Sequence, residues 1–120
     1  MSYTAKNLDN LPRGDDWAFK FTITDSTNNP IDITGNTYWM TLKENRDDPD
    51  PGIAQANVVA ITPDSTNGIV FITFDSANTY SIEPGNYFYD LQEVDIIGNV
   101  YTLLLGRVKI VKDITRNTTL

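Results

Sequence analysis

The sequence predicts an all-β domain, a two-sheet β-sandwich of about seven strands, and three observations predict it. Apolar residues recur with period two almost throughout, the spacing of a strand with one buried face. The stretches that carry this period are short and separated by Gly, Pro, Asn and Asp turns, as in sandwiches. The one segment with helix-start chemistry, residues 75–81 after Asp75 or Ser76, is long enough for a single turn.

In chain order, residues 17–24 set Trp17, Phe19, Phe21 and Ile23 against Ala18, Lys20, Thr22 and Thr24, a half-buried strand. Residues 25–30 form a polar turn. Residues 37–44 place Tyr38, Met40 and Leu42 on one face and Trp39, Thr41 and Lys43 on the other. Residues 45–52 are charged and carry two prolines, so an exposed loop is expected. Strands follow at 54–62, around Val58 and Val59, and at 69–74, where Ile69, Phe71 and Thr73 oppose Val70, Ile72 and Phe74. After Pro84-Gly85, residues 86–94 put Tyr87, Tyr89 and Leu91 opposite Phe88, Asp90 and Gln92. A hairpin loop at 95–99 leads to strands at 100–105 and 107–115, the last with Val108 and Ile110 inward. One domain, residues 1–120, is expected, with polar arms at 1–12 and 117–120.

Composition narrows the function. The chain holds no cysteine and no histidine, which removes disulfides, thiolate metal sites, Ser–His and Cys–His nucleophiles and most zinc chemistry. No enzyme activity, cofactor or metal is expected. The formal charge of −7 opposes nucleic-acid binding, whose affinity comes largely from neutralised phosphates. No stretch is long and apolar enough to span a bilayer. The first ten residues lack an apolar signal region, so no signal peptide is expected.

Four local features carry a likeness. They are Gly14-Asp15-Asp16-Trp17 opening a Phe19-x-Phe21 strand; Pro30-Ile31-Asp32-Ile33-Thr34-Gly35 before the Tyr38 strand; Ile82-x-Pro84-Gly85-x-Tyr87-x-Tyr89-Asp90-Leu91; and Leu104-x-Gly106 before a strand ending in Ile114-Thr115-Arg116. In this order and spacing the chain resembles the immunoglobulin-like domains of tailed-phage virion proteins, of the kind found in upper baseplate proteins and related tail or fibre-attachment modules. The resemblance implies an immunoglobulin-like sandwich and a structural, multimer-forming role in the virion, assembled in the host cytoplasm. Longer members carry fibre, shaft or receptor-binding segments, and none is expected here.

Candidate sites follow. Asp47, Asp48 and Asp50, with Glu44 nearby, are oxygen donors of the kind calcium takes, but lack EF-hand spacing; a solvated loop is the alternative. Arg13-Gly14-Asp15 matches an adhesive tripeptide, or Gly14 bends the chain into the first strand. Asp15 and Asp16 beside Trp17 evoke a glycosidase pair, but adjacent strand residues face opposite ways. Pro84-Gly85-Asn86-Tyr87 reads as a sandwich corner, with the tyrosine hydroxyl bonded back to nearby backbone. Asn117-Thr118-Thr119 fits a glycosylation acceptor.

Protein contact is the expectation for the remaining candidates. Trp39 and Phe88 fall on the face opposite the apolar stripe of their strands, which marks either a contact surface or a covering loop. Ile96 and Ile97 stand at a hairpin tip. Arg107, Lys109, Lys112 and Arg116 make a basic strip on an acidic protein, suited either to an acidic partner surface or to guarding a sheet edge. The expected partners are other virion proteins and copies of the chain itself, without nucleic acid or membrane. The expected role is structural, in the tail, baseplate or fibre-attachment region. The alternatives are a capsid decoration protein or a carbohydrate-binding module using Trp39, Phe88 and Tyr101.

Overall fold

The computed structural model describes residues 4–5 and 8–114. Eight strands run in the order β1 (Thr4–Ala5), β2 (Leu8–Pro12), β3 (Trp17–Thr22), β4 (Thr37–Lys43), β5 (Ala54–Val59), β6 (Ile69–Phe74), β7 (Gly85–Val94) and β8 (Val100–Val111). A 3-10 turn at Pro63–Asn67 precedes β6, and the single helical turn α1 (Ser76–Thr79) follows it.

The larger sheet has the order β1–β8–β7–β4–β5, with β2 continuing along β8 beside β1. β1 and β2 run parallel to β8, and the other pairs are antiparallel. The smaller sheet is the antiparallel pair β3–β6. The molecule is therefore an all-β, sandwich-like fold with one large mixed sheet over one small one.

Alternation decides which side chains meet between the sheets. From the large sheet come Tyr38, Met40 and Leu42, Tyr87, Tyr89 and Leu91, and Val108 and Ile110, all buried. They face buried Trp17, Val70, Ile72 and Phe74, with Phe19 and Phe21 partly buried beside them. The ring centroids of Trp17 and Phe19 lie 5.8 and 6.2 Å from that of Phe74. On β6 both faces are apolar, and the fold turns Val70, Ile72 and Phe74 inward, leaving Phe71 half exposed. Truncating a fully buried residue such as Ile72 to Ala removes roughly 2–5 kcal/mol in comparable cores.

The structure departs from the sequence reading in two places. Residues 100–105 and 107–115 are not two strands: β8 runs unbroken through Gly106, its irregularity falling at Leu103 where the register with β7 shifts. Nor is the N-terminal segment a free arm, because residues 8–12 pair with Val108–Val111. The Arg13 guanidinium holds the Asp113 carboxylate at 2.8 Å beyond that pairing. Arg116, the acceptor at Asn117 and the arm 117–120 lie outside the described residues.

Candidate functional site

The outward residues of the large sheet form rows across its strands. Asn57, Trp39, Gln92 and Thr102 make one row; Gln55, Thr41, Asp90 and Leu105 the next; Lys43, Phe88 and Arg107 the third. The loop between β4 and β5 folds back beside this face. Ile53 N–H donates to the Leu42 carbonyl (2.9 Å), and Lys43 Nζ pairs with Asp50 at 2.8 Å. Gly52 makes the fold-back possible: φ is +64°, and a Cβ there would stand 2.3 Å from the Leu42 oxygen, closer than any side chain allows.

Loop and strands together border an open groove. Its wider part, about 440 Å³, is lined by Trp39, Thr41, Gln55, Asp90 and Gln92, and reaches Val94 and Val100 at the end of the sheet. A narrower part of about 140 Å³ shares Thr41, Lys43, Asp50 and Asp90 and runs on to Arg46 and Phe88. The Arg46 and Arg107 guanidiniums stack over the Phe88 ring at 4.9 and 5.5 Å, a cation–π arrangement. On the floor, Gln55 Nε2 donates to Thr41 Oγ1 (3.0 Å). Burial pushes the Asp90 carboxyl above its ordinary range; Lys43 opposes that rise and Asp50 adds to it.

A second surface lies at the end of the sheet where β4 begins. Thr37 is flanked by Val59 and Val94, and Val94 by Val100. Gly35 N–H donates to the Ala60 carbonyl, and Ile96 packs over Gly35 so closely that a Cβ there would meet its Cγ2 at 2.8 Å. Val59, Ile61, Ile96, Ile97, Val100 and Tyr101 are all exposed here, Ile96 by 74% and Ile97 by 79%. They are most of the exposed large hydrophobic residues among the described ones.

The backbone hydrogen bonds that close the hairpin at this end do not involve its isoleucine side chains. Asp95 Oδ1 accepts from the N–H groups of Ile97 and Asn99 (3.1 and 2.9 Å), and Gly98 takes φ +96°. Residues 25–29 build the same loop: Asp25 Oδ1 accepts from Thr27 and Asn29 N–H (2.8 and 3.0 Å), with Asn28 at φ +64°. That twin carries Ser26 and Thr27 where the hairpin carries Ile96 and Ile97. Two apolar residues stand where turn chemistry accepts polar ones.

The other candidates resolve into structural roles. Arg13 of the adhesive tripeptide is held in its ion pair with Asp113. Asp16 Oδ1 accepts from Ser76 N–H (2.6 Å), capping α1 from across the fold, and the Asp15 carbonyl accepts from Thr79 Oγ1 (2.7 Å). Asp48 Oδ2 accepts from Asn45 N–H (3.0 Å) within its own loop. With Asp50 turned to Lys43, the acidic loop does not gather into a metal-binding group among the described residues. Tyr87 is the expected corner, its hydroxyl donating to the Glu83 carbonyl at 2.5 Å.

Trp39 and Phe88 do lie on the outward face, both partly buried. Tyr101 does not join them, because it pairs in register with the inward Glu93. Arg107 and Lys109 are exposed on the outward face, Lys109 opposite Asn86. The edge-guarding reading of these two is corrected: β7 flanks β8 on one side, and β1 and β2 flank it on the other, so this stretch is interior to the sheet.

Glu93 escaped the sequence reading. It is buried and accepts a 2.6 Å hydrogen bond from the Tyr38 hydroxyl. Burial, and then the neighbouring Glu93, push that hydroxyl above the usual tyrosine range. The signal was the alternation itself, since the period placing Tyr87, Tyr89 and Leu91 inward continues to Glu93.

No family model matches the chain, and no curated protein matches it. Among solved structures it is similar to CopC from Methylosinus trichosporium OB3b, with a TM-score of 0.44 and 9% identity over 92% of this chain and 87% of that one.

Proposed function

We propose that this protein is a structural subunit of a tailed-phage virion that assembles with copies of itself through the end of the sandwich bearing Ile96 and Ile97. A place in the tail, baseplate or fibre-attachment region accords with the four sequence features described above, and a capsid-surface place is a variant of the same reading. The strand arrangement supports an immunoglobulin-like classification. The β8–β7–β4–β5 order corresponds to the G–F–C–C′ sheet of such domains, and the β3–β6 pair to their B and E strands,.

The observation that carries the assembly reading is the pair of equivalent loops. Both satisfy their backbone with an Asp at the first position and a left-handed residue at the fourth, Asn28 in one and Gly98 in the other, yet only residues 95–99 present two isoleucines to water. Contiguous exposed apolar surface of this kind marks contact sites. Each isoleucine covered on assembly contributes on the order of 1.5–3 kcal/mol.

Light scattering across concentration and salt tests it. The wild-type chain is expected to form a discrete oligomer, and the Ile96→Ser/Ile97→Ser double variant to dissociate at concentrations at least about tenfold higher with an unchanged melting midpoint. A wild-type monomer under every condition, or an oligomer indifferent to the double substitution, would count against the proposal.

A further inference from the structure

The apolar end leaves the groove on the large sheet without a role. We infer that this groove binds an uncharged oligosaccharide. The groove adjoins the apolar end at Val94 and Val100, but the groups that would hold the ligand are other residues than Ile96 and Ile97.

Shape comes first. A volume of about 440 Å³ falls in the range of pockets that hold small ligands, roughly 300–1,000 Å³. Trp39 and Phe88 both line it, four residues apart along β4 and its neighbour, or about 14 Å at strand spacing. The groove continues from one aromatic toward the other, a span suited to several linked rings rather than to one.

Chemistry comes second. Trp39 lines the wider part, and beside it stand the Thr41 hydroxyl, the Gln55 and Gln92 amides and the Asp90 carboxylate. A pyranose has an apolar C–H face and a rim of hydroxyls that both donate and accept. Amides and carboxylates supply the matching acceptors and donors. Trp39, Asp90 and Gln92 are all partly buried, and on the floor Gln55 and Thr41 bond to each other. A ligand rich in hydroxyls can exchange hydrogen bonds with these donors and acceptors.

Charge decides against the other ligand classes. Lys43 is neutralised by Asp50 at 2.8 Å. Asp90 stands on the floor, and the Arg46 and Arg107 guanidiniums stack at the Phe88 end. An anion would meet Asp90, a cation would meet the two arginines, and the Lys43–Asp50 pair favours neither. A neutral chain encounters neither repulsion. The binding groups also project from paired strands, which hold them in place before a ligand arrives.

The test uses soluble hexasaccharides of β-1,4-linked glucose, xylose, mannose and N-acetylglucosamine, with spermidine and inorganic phosphate as charged comparators. Binding is read by calorimetry and by tryptophan emission, for which Trp17 is buried in the core and serves as an internal reference. At least one hexasaccharide is expected to bind with a dissociation constant below about 1 mM and to shift the emission. Trp39→Ala should weaken that binding about tenfold or more. Gln92→Ala, a milder change on the same row, should weaken it severalfold. The Ile96→Ser/Ile97→Ser variant should bind as the wild type does, which separates this site from the assembly surface. Absence of heat with every hexasaccharide at millimolar concentration would overturn the inference. So would binding unaffected by both Trp39→Ala and Gln92→Ala, or tighter binding of spermidine or phosphate.

Discussion

Asp90 shows how a single side chain can work against the fold that holds it. It lies partly buried between Thr41 and Leu105 in its row, and desolvation raises its carboxyl above the ordinary range despite the nearby Lys43. An acid whose folded-state pKa is raised binds its proton more tightly when folded. The ionised form is therefore a destabilising term, fully present above the folded pKa. That term fades as pH falls through the folded pKa and is gone below the unfolded value, about 3.9. Asp90→Asn is accordingly expected to raise the melting midpoint at pH 7, and the gain should shrink as the pH is lowered toward 4. Thermal melts of both proteins across that interval check it, and a constant difference would show that ionisation is not the cause. Residues of this kind accumulate where a site is kept ready for a ligand at some expense of stability.

Among elements, β7 is fixed at both ends by local chemistry. At its start the Tyr87 hydroxyl reaches back to the Glu83 carbonyl; at its end Asp95 closes the hairpin. Removing the first tie with Tyr87→Phe leaves the buried ring in place and deletes one hydrogen bond. A loss of about 1 kcal/mol in urea unfolding is expected, and an unchanged midpoint would assign Tyr87 to packing alone. Both ties were legible in the sequence, because Pro-Gly-x-Tyr and Asp-x-x-Gly-Asn are short motifs whose geometry is local. Inward faces of β4 and β7 were legible too, since their outer faces are mixed and the period is unambiguous. The inward face of β6 was not: Ile69 and Phe71 compete with Val70, Ile72 and Phe74, and only packing against β3 and the large sheet decides. The groove was half legible. Alternation placed Trp39 and Phe88 outward, but the fold-back of residues 44–53 that walls them depends on contacts to Leu42 and Lys43.

At the scale of the whole molecule, the chain closes on itself by laying its first strands along its last. Nothing in residues 8–12 advertises this pairing. The apolar residues are Leu8 and Leu11, three apart, because Asn10 turns through φ +59° and the register against β8 shifts between them. Period two is broken where the strand is real, so the segment reads as a polar arm. What holds it is a set of contacts, two of them to residues near the other end of the described chain. Arg13 N–H donates to the Val111 carbonyl (3.1 Å), Trp17 Nε1 donates to the Pro12 carbonyl (2.8 Å), and Arg13 Nε pairs with Asp113 at 2.8 Å across 100 positions. The Arg13 and Asp113 side chains retain 16% and 8% of their accessibility, so the pair is shielded more than surface pairs, which contribute about 0–1 kcal/mol. Arg13→Ala is expected to cost roughly 1–3 kcal/mol in denaturant unfolding, since it leaves a shielded carboxylate without its guanidinium. A double-mutant cycle with Asp113→Ala isolates the contact from the packing of the arginine stem. Coupling above about 0.5 kcal/mol would identify the pair as the clasp of the first and last strands, whereas additive losses would move that role to the backbone pairing of β2 with β8.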